Sequence, residues 1–194
     1  MVELSNLHRQ PLHYTPDVGA PKAISAAAKL GILNPEVLAE PFTVRLDGHN
    51  VRGLLAGADV VLDCSDSFET RYLINDTCCA EGVPIASAAV QGFTGLVLSV
   101  RPGESACYRC AFPVSPPPEA ELPCRDTGAI GAVTGVLGCL QALEAIKLLS
   151  GVGTPLTGRV LHLDLLDGLR TLATVERRKD CAACGESVGT SDSG

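Results

Sequence analysis

The chain has 194 residues, 46% of them hydrophobic and 19% charged, which is enough apolar material for one ordinary domain with its own core. Its 15 basic and 22 acidic side chains give a formal net charge of −7, so its summed field opposes binding to nucleic-acid phosphates and to anionic membranes. The polar residues after Met1 do not resemble a secretory signal, and we expect a cytoplasmic protein.

Helix and strand patterns follow one another along the chain. A helix is expected over residues 21–30, where Pro21 suits a first helical position and Gly31 a stop, and another over residues 69–81. Strands are expected over residues 42–46, 58–63, 84–89 and 94–100, with a final pair within 161–175. Residues 113–123 are expected to form a Pro-rich loop, and residues 187–194 a frayed tail.

The uncharged stretch over residues 129–143 is shorter than the ~20 apolar residues that a membrane span needs, so we predict a buried helix there. Strands that alternate with helices indicate an α/β fold with βαβ units and a parallel sheet. Ligands bind such sheets at the carboxyl ends of strands, where Asp63 and Asp66 would lie. Neither a G-x-G-x-x-G loop nor a P-loop occurs in the sequence.

The nine cysteines include two C-x-x-C pairs, formed by Cys107 with Cys110 and by Cys181 with Cys184. Four thiolates in two knuckles are typical of a closed structural zinc site, and Gly185 suits the turn after the second pair. A thioredoxin-like redox pair or a chance spacing are the alternatives. The odd count and the length of the chain argue against a disulfide framework.

Two further segments carry residues with possible chemistry. The polar run at residues 5–10 contains Arg9, and Lys22 follows 13 residues later. These two cations could stabilise a triphosphate, although such charges are commonly solvated surface residues. Asp66 follows a buried strand and opens a helix, so it could bind Mg²⁺ or simply cap that helix.

Cys124 lies beside Arg125, which could lower the thiol pKa, and it is a candidate nucleophile. We assign no chemistry to the four cysteines that fall within predicted strands and helices, which are Cys64, Cys78, Cys79 and Cys139.

Six runs of residues stand in order along the chain: residues 5–10, 19–22, 63–66, 107–110, 135–147 and 181–185. Together they resemble the E1-like activating enzymes of molybdopterin and thiamine synthesis, the MoeB and ThiF type, from Val2 to about Gly185. The last run is similar to the eukaryotic enzymes that carry a sulfurtransferase domain, whereas residues 89–93 are similar to the thiamine branch.

The resemblance implies a Rossmann-like, mostly parallel sheet with helices on both faces, and a C-terminal strand region tied by the four-cysteine zinc site. It also implies Mg²⁺-dependent use of ATP, with Cys124 at the position of the family's reactive cysteine. The implied nucleotide contacts are Ser5, Asn6, Leu7, His8, Arg9, Lys22, Asp66 and Ser67.

Family members carry a helix, a Gly-rich nucleotide loop and an acidic ribose contact before the segment that matches Ser5. Residues 1–186 are therefore expected to be an adenylyltransferase domain that is truncated at its N-terminus. The implied substrate is the C-terminal glycine of a ubiquitin-like sulfur carrier that serves molybdopterin, thiamine or tRNA thiolation. A cysteine desulfurase or rhodanese-type protein would donate sulfur.

Two other functions compete with this one. A non-catalytic, zinc-stabilised module that still binds the carrier is the main alternative. A nicotinamide-dependent oxidoreductase is disfavoured because the dinucleotide fingerprint is absent. We also expect a homodimer formed through the helix at residues 129–149, where Gly131, Gly135 and Cys139 leave one face bare, unless that face packs within the chain.

Overall fold

A computed structural model describes residues 1–115 and 128–185 of the chain. Five strands form one sheet in the order β1-β2-β3-β4-β5. The strands are β1 Val61–Asp63, β2 Ile85–Gln91, β3 Thr94–Val100, β4 Arg159–Asp164 and β5 Leu169–Thr174. The helices in the described residues are α1 Lys22–Leu33, α2 Val51–Leu55, α3 Phe68–Glu81, α4 Tyr108–Ala111 and α5 Gly131–Ser150, with 3-10 turns at Leu4–Asn6 and Thr15–Asp17.

The α/β class is confirmed, but within the described residues the sheet is mixed and not mostly parallel. Only β1 and β2, which α3 connects, run parallel there, and the other three neighbouring pairs are antiparallel. Short turns explain two of these pairs, because the two-residue β2–β3 loop and the four-residue β4–β5 loop can join only antiparallel strands, whereas β3 and β4 are joined by the long connection that contains α4 and α5. The β2–β3 turn begins at Gly92, whose φ of 56° suits glycine at that position.

Helices cover both faces of the sheet, as predicted. Successive strand residues point to opposite faces of the sheet. Ile85 and Leu98 pack on the α3 side, and Ala86 and Val97 pack on the α5 side. The approach of α5 is close at Gly95, where an added Cβ would lie 2.2 Å from the Leu137 side chain. A larger residue there would push α5 away from the sheet.

Helix α5 is half-buried. Its 20 residues would by length and composition alone be able to cross a membrane, and core helices pass the same test. Here one face packs on the sheet and includes the buried polar residues Gln141 and Glu144, which hydrogen-bond to strand residues Asp63 and Ser99. The helix is therefore a core element of the sheet, and the predicted burial holds for one of its faces only.

Several predicted boundaries shift. Helix α3 and strand β3 lie where the sequence placed them, but α1 continues through Gly31 to Leu33. It ends before Asn34, which precedes a proline and is extended, since proline disfavours helical geometry in the residue before it. The strand predicted over residues 42–46 is wrong: the segment forms no ladder with any described strand. An alternating pattern creates no strand without a neighbour to pair with.

Candidate functional site

Strand β1 ends at the buried Asp63, and a short turn then leads to Ser67 and into α3. Ser67 is the N-cap of α3, since its Oγ accepts a hydrogen bond from the Thr70 amide at 3.2 Å. The cap alternative for Asp66 is therefore wrong. Asp66 precedes the cap, is exposed, and makes no side-chain hydrogen bond to any described residue. Its carboxylate is available to a ligand at the carboxyl end of β1.

Buried side chains hold this turn from the α3 side of the sheet. Arg71 donates from Nη1 to Asp63 Oδ2 and to Ser87 Oγ, each at 3.1 Å, and from Nη2 to the Ser65 carbonyl oxygen. Ser87 Oγ in turn donates to Asp63 Oδ2 at 2.8 Å. Asp63 Oδ1 accepts from both the amide and the hydroxyl of Ser65, at 3.0 and 2.6 Å. The buried charges are therefore paired and share several hydrogen bonds, which offsets their desolvation.

A second contact reaches the turn from α5, on the opposite face. Gln141 Nε2 donates to the backbone oxygens of Asp63 and Ala86, at 2.8 and 2.9 Å. Its Oε1 lies 3.4 Å from the Cys64 sulfur, which donates to it. Gln141 therefore links the carboxyl end of β1 and the neighbouring first part of β2 to the central helix.

The N-terminal segment lies over the start of α5. An added Cβ on Gly131 would lie 2.5 Å from the His8 carbonyl oxygen and 3.2 Å from the Arg9 Cα. Since Gly92 and Ala129 form a bridge just before α5, this contact places Arg9 near the end of β2. Arg9 and the Asp63–Ser67 turn thus lie toward the same edge of the sheet, and their contact with a nucleotide stays a prediction.

Backbone pairing brings Lys22 close to the same segment. The Val2 amide donates to the Ala20 oxygen at 2.8 Å, and the Gly19 amide donates back to Val2 at 2.9 Å. Lys22 then begins α1 with an exposed side chain. Arg9 Nη1 donates to the Ser5 oxygen at 2.6 Å and lies 2.9 Å from His8 Nε2. Both cations remain accessible from solvent.

The remaining predicted nucleotide contacts are less uniform. Ser5 and His8 are exposed and Leu7 is half-buried, whereas Asn6 is buried and its Oδ1 accepts from the Glu3 amide at 3.2 Å. That contact makes Asn6 part of a local cap. The hydroxyl of Ser67 is also occupied by its cap. The candidate nucleophile Cys124 lies outside the described residues.

The four cysteines of the C-x-x-C pairs come together in one buried cluster. Their sulfur atoms all lie within 4.8 Å of one another, with neighbouring separations of 3.9 Å for Cys107–Cys110, 3.6 Å for Cys107–Cys181 and 3.4 Å for Cys110–Cys184. A tetrahedral zinc with Zn–S bonds of about 2.3 Å requires S–S edges of about 3.8 Å. The cluster therefore fits the metal that its spacing predicts.

The neighbouring sulfur atoms lie 3.4 to 3.9 Å apart, beyond the ~2.05 Å of a disulfide bond, and their surroundings affect the four thiols differently. Burial raises the pKa of Cys110, whereas the pKa of Cys107 is raised first by a hydrogen bond with Cys79 and then by burial. Burial also raises the pKa of Cys184; it opposes ionisation of Cys181 too, yet the backbone N–H groups of Cys184 and Ala183 lower that pKa to about 7. A cation that binds the cluster would displace the protons of the other thiols.

Buried residues that the sequence reasoning missed support both regions. Asn75 of α3 accepts from the Tyr108 amide at 2.8 Å and points Nδ2 at the Cys107 sulfur, 3.8 Å away. Arg71 and Asn75 are four residues apart on one helical face, and both are almost fully buried. Strongly polar residues on the core-facing side of a helix are a signal that could have identified them, as could Gln141 within the apolar α5.

Comparison with known proteins agrees with this arrangement. The ThiF family matches residues 1–183. The SAMP-activating enzyme E1 of Haloferax volcanii is 47% identical over 96% of the chain and 68% of its own length. The sulfur carrier protein adenylyltransferase of Thermus thermophilus is 43% identical over 95% of the chain and 70% of its own length. The adenylyltransferase and sulfurtransferase MOCS3 of Sus scrofa is 46% identical over 96% of the chain, which spans 41% of that relative's length.

Solved structures show the same fold. Escherichia coli MccB with ATP superposes with a TM-score of 0.82 over 96% of the chain, at 19% sequence identity, and the chain spans 57% of that protein. The prediction of an E1-like adenylyltransferase is confirmed at the level of family and enzyme class by the family match and the relatives. This chain belongs to the ThiF family.

Proposed function

We propose that the chain uses ATP to adenylate the C-terminal carboxylate of a ubiquitin-like sulfur-carrier protein. The observation that carries the proposal is the exposed Asp66, held on a well-supported turn at the carboxyl end of β1, toward the edge where Arg9 lies. Open α/β sheets bind ligands at this edge. The names of the relatives supply the class of substrate.

In the proposed reaction a carboxylate oxygen of the carrier attacks the α-phosphorus of ATP. An O–Pα bond forms, the bond between Pα and the bridging oxygen breaks, and pyrophosphate leaves with both electrons. Arg9 and Lys22 are the cations available to stabilise the negative charge of the triphosphate. Asp66 is the carboxylate that suits Mg²⁺, which when bound would neutralise phosphate charge.

Sulfur transfer would follow adenylation. A carboxylate is a poor acyl donor until one oxygen belongs to a good leaving group, and AMP provides that group. The terminal sulfur of a persulfide, carried by a cysteine desulfurase or a rhodanese-type protein, would then attack the acyl carbon and displace AMP, which leaves an acyl disulfide. A second thiol would attack the inner sulfur of that disulfide, so that the thiocarboxylate leaves and a new disulfide forms. The pig relative combines adenylyltransferase and sulfurtransferase in its name, which supports a link between the two activities.

We further propose that the cluster of four cysteines holds one structural zinc. The fit of the sulfur separations and the burial of all four ligands support a closed site with no open position for a substrate. The cluster joins α4, which follows β3, to the chain after β5. It would thus tie the segment that follows the last strand to the body of the domain. The proposed location of the protein remains the cytoplasm.

Carrier-dependent exchange of labelled pyrophosphate into ATP tests the main proposal. The purified chain is incubated with ATP, Mg²⁺, labelled pyrophosphate and a sulfur carrier, and the matched control is the same carrier without its terminal glycine. We expect exchange with the intact carrier and none with the carrier that lacks its terminal glycine. No exchange, with the carrier still bound, would instead favour the non-catalytic carrier-binding module.

Replacing Cys124 with alanine should leave pyrophosphate exchange unchanged, because acyl-adenylate formation precedes any use of a thiol. A later transfer of the acyl group or of sulfur should be impaired. The measurement is exchange beside thiocarboxylate formation on the carrier, followed by mass spectrometry. Loss of exchange in a folded Cys124→Ala protein would contradict the proposed order of steps.

Self-association through α5 is the proposed oligomeric arrangement. Val136, Leu143, Ile146 and Leu149 are 44–57% exposed and lie along one side of the helix, together with Gly135 and Cys139. Gly131 lies on the same side, about five turns before Leu149, but it packs against His8 within the chain. The bare face predicted from glycine spacing is thus only partly the face that α5 exposes.

We expect a dimer at micromolar concentration in sedimentation velocity. The double variant Leu143→Glu with Ile146→Glu should be a folded monomer, because charges would then oppose burial of the exposed face of α5. The matched control is Leu38→Glu, which changes another apolar residue, 84% exposed and far from α5 in sequence. A wild-type monomer would refute the arrangement.

A further inference from the structure

Two buried side chains hydrogen-bond to the Asp63–Ser67 turn from opposite faces of the sheet. Arg71, 6% exposed, approaches from α3 and hydrogen-bonds to the Asp63 side chain and the Ser65 backbone. Gln141, 4% exposed, approaches from α5 and hydrogen-bonds to the Asp63 backbone and the Cys64 thiol. Together they contact the three residues that precede Asp66.

These contacts are specific to the geometry of the two side chains. The planar guanidinium of Arg71 reaches a carboxylate, a hydroxyl and a backbone oxygen at once, which a lysine ammonium cannot reproduce at the same spacing. The Gln141 amide donates to two strands while its oxygen accepts from the turn. An apolar core could pack without either group, so their burial indicates that a fixed conformation of the turn is being maintained.

We propose that Arg71 and Gln141 are positioning residues that fix the orientation of Asp66 for the adenylation step. Neither touches the site at which Asp66 is exposed; both act through the backbone of the turn. The inference rests on the proposed function for the role of Asp66, and on the described contacts for the restraint itself. Asp66 would then differ from an ordinary surface aspartate in that the backbone that carries it is held in one conformation.

Alkylation of Cys64 tests the restraint without any activity. Cys64 lies in the turn and Cys139 is an exposed thiol on α5 outside it, so the two report on the turn and on α5 in the same molecule. The rates of iodoacetamide labelling are compared by mass spectrometry in the parent protein, Arg71→Lys and Gln141→Met, each carrying Leu143→Glu and Ile146→Glu so that the exposed face of α5, and Cys139 on it, stays free of a second copy. We expect faster labelling of Cys64 in both variants and an unchanged rate at Cys139. Arg52→Lys makes the same chemical change at an exposed ion pair with Glu81, at the other end of α3, and should match wild type.

Exchange kinetics test the consequence for catalysis. In Arg71→Lys, kcat for pyrophosphate exchange should fall about tenfold or more, since small displacements of a reacting group are costly, while KM for the carrier stays unchanged. The Mg²⁺ concentration at half-maximal rate should rise. A merely structural role would lower the thermal midpoint without this split between kcat and KM.

The outcomes separate the two proposals. Absence of exchange in the wild-type chain counts against the proposed function alone, and the labelling result then decides the inference. Unchanged Cys64 labelling in folded Arg71→Lys protein, or unchanged kcat despite faster labelling, would overturn the inference. Should Arg71→Lys fail to fold, Gln141→Met gives the same two readings from the other face.

Discussion

Carrier-dependent pyrophosphate exchange should fall about 100-fold or more when Asp66 is replaced by asparagine, a loss of about 2.7 kcal/mol of transition-state stabilisation. The substitution removes a negative charge but keeps the size and shape of the side chain. Asp66 is exposed and makes no described side-chain hydrogen bond, so the thermal midpoint should stay within about 1 °C of wild type. Exchange kinetics at saturating ATP, beside differential scanning fluorimetry, provide both readings.

The matched control for this variant is Glu69→Gln. Glu69 is also exposed, lies in the first turn of α3 and carries the same charge, but it follows the cap instead of preceding it. Its loss should reduce exchange by less than about twofold, because only the helix-dipole interaction changes. Equal losses in the two variants would mean that general negative charge, and not Asp66, supports the reaction.

Local patterns predicted most of the individual elements. Helix α3 begins one residue before its predicted start and ends at Glu81 as expected, because a Ser cap and a Gly82 terminator flank it. Helix α1 ran past Gly31, since an interior glycine costs a helix only about 1 kcal/mol. The direction of the strands was less predictable, because it depends on which strands are joined by hairpins.

The site was predicted unevenly for a similar reason. Spacing alone identified the cluster of four cysteines, since each pair lies within four residues and two such pairs can together bind one ion. Asn75 and Gln141 escaped detection because their partners are distant in sequence, whereas Arg71 lies only six and eight residues from Ser65 and Asp63 and was missed because its burial depends on how α3 packs on the sheet. Gln141 contacts Asp63 across 78 residues, and Asn75 contacts Tyr108 across 33. Only the folded sheet brings such groups together.

Loss of one cysteine ligand should have the largest effect on stability. We expect Cys184→Ser to lose the single equivalent of zinc found in wild type and to unfold at a temperature lower by about 10 °C, because a metal present at 1,000 times its Kd stabilises the folded chain by about 4 kcal/mol. Cys184 lies in the segment after β5 and its partner Cys110 in α4, so the bound metal would join parts of the chain 74 residues apart. Removing the metal leaves these segments tied only by weaker contacts such as the Arg177 hydrogen bonds to the Cys184 and Gly103 oxygens.

Cys139→Ser is the matched control, since it makes the same atomic change at an exposed thiol of α5 outside the cluster. It should retain one equivalent of zinc by plasma emission spectrometry and unfold with the wild-type midpoint. Treatment of the wild-type protein with a chelator should reproduce the lower midpoint of Cys184→Ser, and added zinc should restore it, because the metal and not the thiol itself provides the stabilisation. A Cys184→Ser protein that keeps its zinc, or wild-type protein that contains none and whose four cysteines are paired as disulfides, would refute the structural zinc site.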